Sequence, residues 1–244
     1  MRHWRIQNFE TIDSTNLEAK RQASAETFEN SWIVADSQTA GRGRIARKWV
    51  SEPGNLYTTA LFHEPGGLST AMRLPFATAL AVRDTIVSVS PKIDARLKWP
   101  NDVRIAHQKM CGILIETGQT GDNAWVAVGV GINLTSSPDV PDKPATCGLA
   151  LDGNAEWGRD SVLGTLMAKF EIRLAQAREG FESVRKDWLK HAEGLGETVS
   201  VNTPQGALEG VFEDMDSTGG LILRLPTGER RIISSGDVNL IGMA

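Results

Sequence analysis

The alternation of apolar and polar positions from Trp4 to Ile12 predicts a strand, and Asp13-Ser14-Thr15 then supplies cap chemistry for a helix from about Asn16 to Ala25. Apolar runs predict further strands at Ser31 to Asp36 and Asn55 to Phe62. Residues 70 to 89 are apolar almost all round, broken by Arg73, Arg83 and Asp84, which predicts one helix packed on a sheet. Ala95 to Lys98 and Val103 to Ala106 flank Trp99-Pro100-Asn101-Asp102, where proline removes a backbone donor and must break the strand. A tight turn at His107-Gln108 leads into a strand from Lys109 to Thr117. The polar stretch Gln119 to Asn123 turns the chain into another, Ala124 to Leu134. This reads as a meander of antiparallel strands.

The proline-rich segment Thr135 to Thr146 predicts a surface loop, and helices follow at about Arg159 to Arg178 and Phe181 to Ala192. From Gly194 onward the pattern changes to short β-rich runs, Thr198 to Asn202, Leu208 to Asp214, Gly220 to Leu225 and Glu229 to Ser234, separated by Gly, Pro and Asp turns. These predict a small SH3-like barrel. The expected organisation is α+β: a mixed, largely antiparallel sheet with packed helices over 1–193, and the barrel over 194–244.

One segment stands apart from these elements. Gln38 to Trp49 places Arg42, Arg44, Arg47 and Lys48 on a glycine-rich loop, in a chain of 244 residues whose formal net charge is −4. Gly41 and Gly43 allow close backbone approach to a ligand, and forked guanidinium groups suit phosphate or carboxylate oxygens. The alternative is a solvated basic loop. The spacing Gly41-x-Gly43-x-x-Ala46 also fits a loose dinucleotide fingerprint, but no helical period follows it.

The composition, 41% hydrophobic and 23% charged, is that of a globular domain plus a smaller one, and the acidic balance argues against a nucleic-acid binder. Cys111 and Cys147 belong to no ligand spacing, and His3, His63, His107 and His191 form no metal pair, so free thiols and no protein-built metal site are expected. The first residues lack a signal-peptide core and no membrane span is present, which makes the cytoplasm the default.

Five motifs occur in order: Asp13-Ser14-Thr15-Asn16; the Gly-Arg-Gly-Arg loop; Leu97-Lys98-Trp99-Pro100-Asn101-Asp102-Val103; Lys109-Met110-Cys111-Gly112-Ile113-Leu114-Ile115-Glu116; and Val128-Gly129-Val130-Gly131-Ile132-Asn133-Leu134. Together they resemble the bacterial biotin protein ligases, in the short form without an N-terminal DNA-binding domain, since only a dozen residues precede Ser14. Ala46 departs from that family, which usually has glycine there.

The resemblance implies a class II synthetase-like catalytic fold, ATP and Mg2+ as cofactors, biotin as substrate, and the biotin carboxyl carrier protein of acetyl-CoA carboxylase as partner. It implies no nucleic acid or membrane partner, and allows a homodimer. Biotin contacts fall to Ser14, Thr15, Asn16, Gln38, Gly41, Arg42, Gly43, Arg44, Lys109 and Gly112. ATP contacts fall to Arg42, Arg44, Arg47, Trp49, Asn101, Lys109 and Asn133, with Mg2+ carried on the phosphates near Asn133. Lys109, Arg44 and Asp102 are the expected catalytic groups, Asp102 facing the acceptor amine.

On the residues alone each has a plain alternative. Ser14 and Thr15 could only cap the helix, Lys109 could be a solvated strand end, Trp49 could be core, Gly129 and Gly131 could mark a bulge, and Asp102 could be a turn residue. A lipoate or octanoate ligase of the related fold, and a non-catalytic biotinyl-adenylate sensor, are the competing functions.

Overall fold

The computed structural model describes residues 3–241 except 26, 46, 121–122, 140–143, 154 and 204–205; Ala46 is therefore outside the described residues. The first half of the chain builds one seven-stranded sheet from β1 (Arg5–Ile12), β2 (Ser31–Gln38), β3 (Leu56–His63), β4 (Ala95–Lys98), β5 (Asp102–Ile105), β6 (Gln108–Thr120) and β7 (Asn123–Ile132). Its order is β1-β2-β3-β7-β6-β5-β4. Only β1 and β2 run parallel, and the other pairs are antiparallel, as a mixed, largely antiparallel sheet requires.

Alternation assigns the two faces. Trp32, Val34, Ala60, Phe62, Ile113, Val128 and Val130 point to the main core, where α3 (Leu74–Val89), α5 (Arg159–Glu179) and α6 (Glu182–Lys190) supply the other layer. Phe170 of α5 meets Trp32 edge-on at 5.3 Å and Phe62 at 6.1 Å. Ile33, Leu61, Trp125 and Ala127 point the other way, where among the described residues their apolar cluster is completed by Ala19 and Ala23 of α1 (Thr15–Ala23) and the rings of Phe9 and Phe28. A nine-residue helix cannot cover a seven-stranded face.

Three expectations shift. The helix expected over residues 70–89 is two, α2 (Gly67–Ala71) and α3, because Pro75 sits in the first turn of α3, where its missing N–H costs nothing. The turn expected at His107-Gln108 lies one residue earlier: Ala106 (φ 46°) and His107 (φ 63°) make it, and Gln108 already belongs to β6. The proline-rich segment is not wholly a surface loop. Lys109 N–H donates to Pro144 O at 2.8 Å and Thr146 N–H to Lys109 O at 3.1 Å, so its end is drawn in beside β6. After it come two short helical pieces, α4 (Gly148–Asp152) and a 3-10 turn at Ala155–Trp157.

The last strands are β8 (Thr198–Thr203), β9 (Gly206–Met215), β10 (Leu221–Arg224), β11 (Arg230–Ile233) and β12 (Asp237–Leu240), the final one not anticipated from its mixed composition. They form an open five-stranded antiparallel sheet in the order β11-β10-β9-β8-β12; among the described residues no β11–β12 pairing closes it into a barrel. Phe212, Leu221 and Leu223 join the main core, and the Trp99 indole N–H donates to Gly219 O at 2.9 Å. The second sheet is thereby held against the β4–β5 end of the first.

Candidate active site

The uncovered part of the α1 face, roofed by the segment after β2, encloses a cavity of about 510 Å³. Its floor is bare backbone. Gly112 of β6 and Gly131 of β7 are direct partners across the ladder, and the Trp49 ring lies on both. A Cβ on Gly112 would come within 2.8 Å of that ring and one on Gly131 within 2.6 Å. The strand glycines therefore mark a close approach and not a bulge. Trp49 is a wall of the cavity, and its buried indole N–H has no hydrogen-bond partner among the described residues.

The loop itself is a compact hairpin. Gly43 N–H donates to Arg47 O, Trp49 N–H donates to Gly41 O, and Arg42 and Lys48 form a bridge. Ile45 stands at its tip, exposed, with φ 55°, a conformation that β-branched residues resist. The three loop arginines, like charges on one short segment, each take a separate partner. Arg42 is 3.4 Å from Glu116, Arg44 donates to Asn101 Oδ1 at 3.0 Å, and Arg47 is 3.1 Å from Asp237.

At one end of the cavity lie hydroxyls and amides. Ser14 is the N-cap residue of α1 but makes no side-chain capping bond, so capping does not account for it. Gln38 Oε1 accepts from Thr15 N–H at 2.8 Å and from the Thr15 hydroxyl at 3.2 Å, while Gln38 Nε2 donates to Ser51 Oγ at 2.9 Å. The Thr59 hydroxyl lies 2.8 Å from Thr15 Oγ1 and 2.9 Å from Asn16 Oδ1, and Asn16 Nδ2 donates to Glu116 at 3.0 Å. Gly43 lines the same space. Gly41 does not: it is buried, and a Cβ there would fall 2.4 Å from Trp49 O.

At the other end charge gathers. Lys109 Nζ and Asp102 Oδ1 form an ion pair at 2.7 Å, and the same ammonium is 5.3 Å from the centre of the Trp49 ring. Asn101 Nδ2 donates to Ile113 O at 2.7 Å, which fixes the amide so that its oxygen meets Arg44. Burial lowers the Arg44 pKa, with Asp102 and Asp237 pulling the other way. Asn133 is buried with Nδ2 donating to Thr146 O at 3.2 Å and Lys109 O at 3.4 Å, which ties the cavity wall to the end of the proline-rich segment. Cys111 is fully buried, and burial pushes its thiol up, as suits an inert residue.

Fourteen of the fifteen sequence-expected site positions therefore line one cavity, Gly41 being the exception. Those that sequence reasoning missed are Thr59, Glu116 and Asp237. Thr59 and Glu116 sit on strands whose period-2 pattern already placed them on the α1 face, a usable signal. Asp237 carries none: it comes from β12, and reaches both Arg47 and, at 2.9 Å, Lys98 of β4.

The sequence profile of the biotin/lipoate A/B protein ligase family matches residues 8–133, and that of the biotin protein ligase C-terminal domain matches residues 194–240. The chain belongs to the biotin protein ligase family. It is 35% identical over 235 residues to the biotin–[acetyl-CoA-carboxylase] ligase of Paracoccus denitrificans, covering 93% of this chain and 96% of that protein. It is 32% identical to the corresponding ligase of Mycobacterium tuberculosis, over 92% of this chain and 85% of that one. Among solved structures it is similar to the biotin protein ligase of Aquifex aeolicus in complex with biotin and ATP, with TM-score 0.79, 28% identity, and 96% and 97% of the two chains covered. The mixed sheet, its helices and the C-terminal β-sheet are thus those of the family.

Two outcomes follow from this geometry. Gly131→Ala should push Trp49 off the floor, because the overlap is with a rigid ring; trypsin should then cut after Arg47 or Lys48 faster than in the wild type, and an unchanged rate would show that the glycine floor does not seat the loop. The second concerns Asp237. Burial opposes its charge, but Lys98 and Arg47 outweigh burial and hold its pKa below the ordinary 3.8. A depressed folded pKa means the stabilisation is complete above 3.8 and is lost as the pH falls through the lower folded value. The stability difference between wild type and Asp237→Asn, measured by urea unfolding, should be constant down to about pH 4 and shrink below it.

Proposed function

We propose that this chain activates biotin with ATP, forming biotinyl-5′-AMP and pyrophosphate, and then transfers the biotinyl group to a specific lysine of a biotin carboxyl carrier protein. The observation that carries this reading is the polarity of this cavity: neutral donors and acceptors at the Ser14–Gln38 end, cations at the Arg44–Lys109 end, and an apolar stretch along Trp49 between them. A ureido ring joined by an aliphatic chain to a carboxylate matches that sequence. A lipoyl or octanoyl head offers no polar group to the hydroxyls and amides around Gln38 and would forgo the hydrogen bonds that a ureido ring can add there. No feature of the site favours a non-catalytic sensor.

In the first step a carboxylate oxygen attacks the α-phosphorus and the bond to pyrophosphate breaks. Both reactants are anionic, so Lys109, Arg44, Arg42 and Arg47 supply the charge that brings them together and receives the leaving group. Mg2+ would ride on the ATP phosphates and add to that charge. Among the described residues no group of three His, Cys, Asp or Glu side chains could hold a metal, so phosphate oxygens and water would be its main ligands, as Mg2+ tolerates well. Asn101 would position the nucleotide, and Asn133 would hold the wall beside the phosphates.

In the second step the acceptor ammonium gives one proton to the Asp102 carboxylate, the neutral amine attacks the acyl carbon, AMP leaves, and the nitrogen releases its second proton to solvent. A lysine with an ordinary pKa of about 10.4 arrives charged. The Asp102 carboxylate, already paired with the Lys109 ammonium, is placed to exchange that partner for the incoming ammonium once Lys109 turns to the acyl oxygens.

We assign residues 1–193 to biotin and ATP chemistry and 194–244 to a supporting part that completes the loop side of the site through Asp237. The outer edge of β1 would serve a homodimer, the net charge of −4 argues against nucleic acid, and the cytoplasm is where ATP and the carrier would be met. Among the described residues no helix is long and apolar enough to cross a membrane.

The direct test is incubation with biotin, Mg-ATP and a carrier domain, with the mass of the carrier as readout; an unmodified carrier would sink the proposal. Lys109→Ala should lower biotin affinity about 10- to 100-fold while the thermal midpoint holds, from the loss of one charge-assisted contact. Asp102→Asn should slow transfer from preformed adenylate more than adenylate formation, read in single-turnover experiments on each half-reaction. Equal slowing of both would move Asp102 from the amine to the nucleotide or to Lys109 alone.

A further inference from the structure

Glu116 closes the Lys109–Glu116 motif, yet it lies outside the cavity wall and the proposed chemistry leaves it without a role. Its side chain is 18% exposed and stands on the α1 face of β6, behind Asn16. Resting on the biotin reading above, we propose that Glu116 is a positioning residue that joins recognition of the acid's polar head to the seating of the arginine loop.

A carboxylate only accepts hydrogen bonds, so Asn16 must turn Nδ2 toward Glu116 Oε2, at 3.0 Å, and Oδ1 toward Thr59. The amide is thus set in one of its two orientations. Gly129 makes the position possible, since a Cβ there would fall 2.0 Å from Asn16 Oδ1. The other oxygen of Glu116 holds Arg42 at 3.4 Å, with Lys20 at 4.0 Å. The acids closest in sequence to Asn16 are already engaged: Asp13 and Glu18 both receive Arg21.

These contacts form part of a longer chain of side chains. It runs Ser51, Gln38, Thr15, Thr59, Asn16, Glu116, Arg42, and so connects the exit of the loop to its entry through the groups that would meet the ureido ring. Any ligand that fixes Gln38, Thr15 or Asn16 is therefore felt at both ends of the loop through a contiguous hydrogen-bonded path.

Two variants of the full chain separate the two contacts. Glu116→Gln keeps an acceptor oxygen for Asn16 but gives up the charge facing Arg42; Glu116→Ala gives up both. In biotin-dependent pyrophosphate exchange the KM for biotin should rise about threefold in Glu116→Gln and about tenfold or more in Glu116→Ala. The KM for ATP should change less than about twofold, since Glu116 faces the acid's head and not the nucleotide. Without ligands, trypsin should cut after Arg42 faster in both variants than in the wild type.

An unchanged KM for biotin in Glu116→Ala overturns the proposal, as does a parallel rise in both KM values or cleavage spread over the whole chain, either of which marks a general structural role. If the wild type shows no biotin-dependent exchange, the substrate reading fails. The ligand-free trypsin comparison then still decides the loop half of the proposal, and equal cutting after Arg42 in wild type and variants overturns it.

Discussion

An extended sheet has two faces, and the whole molecule depends on how unequally this one is covered. Three helices and the second sheet bury one face in a single core that holds Trp32, Phe62, Phe170, Trp188 and Phe212. Burial of about 25 cal/mol per Å² of apolar surface makes that face the source of stability. The other face is left to the nine-residue α1 and a glycine-rich hairpin. Stability and chemistry are thus separated by the pleat: alternate residues of the same strands serve one or the other. Val128 and Val130 pack, while Gly129 and Gly131 open the floor between them.

Once the floor is bare, the roof must be polar and anchored, because it crosses a cavity and not a core. Each loop arginine finds its anchor on a different element: Glu116 on β6, Asn101 between β4 and β5, Asp237 on β12. Exposed or half-exposed ion pairs of this kind contribute little to global stability. Their value is in placing cations where an anionic ligand needs them, and they can be exchanged for ligand contacts without large loss. The C-terminal sheet enters the site by the same route, through the Asp237 carboxylate that also holds Lys98, and it lines the cavity with Asn202 and Thr203 of β8 as well.

The Lys109–Asp102 pair shows the same economy. Two groups assigned to different half-reactions neutralise one another at 2.7 Å. An anionic acyl group can draw the lysine away, and an incoming ammonium can take its place at the aspartate. A charge is then never left unpaired in a half-buried site, which would cost several kcal/mol.

Local patterning accounted for much of this. Strand alternation, the proline break at Trp99–Asn101 and the glycine–arginine loop are short-range features, and each was legible from neighbours in sequence. Fourteen of the fifteen expected site positions are found on the cavity wall, Gly41 being the exception, where it packs beneath Trp49 O. What the pattern could not supply were properties of sheet order and register. The partition of residues 70–89 followed from Pro75, but the open order of the C-terminal strands depended on pairings that composition does not encode. Which acid meets which arginine was decided by elements 74 and 190 residues away from Arg42 and Arg47. Sequence determined the groups available because periodicity and glycine placement act locally; tertiary structure determined their partners because a side-chain contact depends on which strands become neighbours.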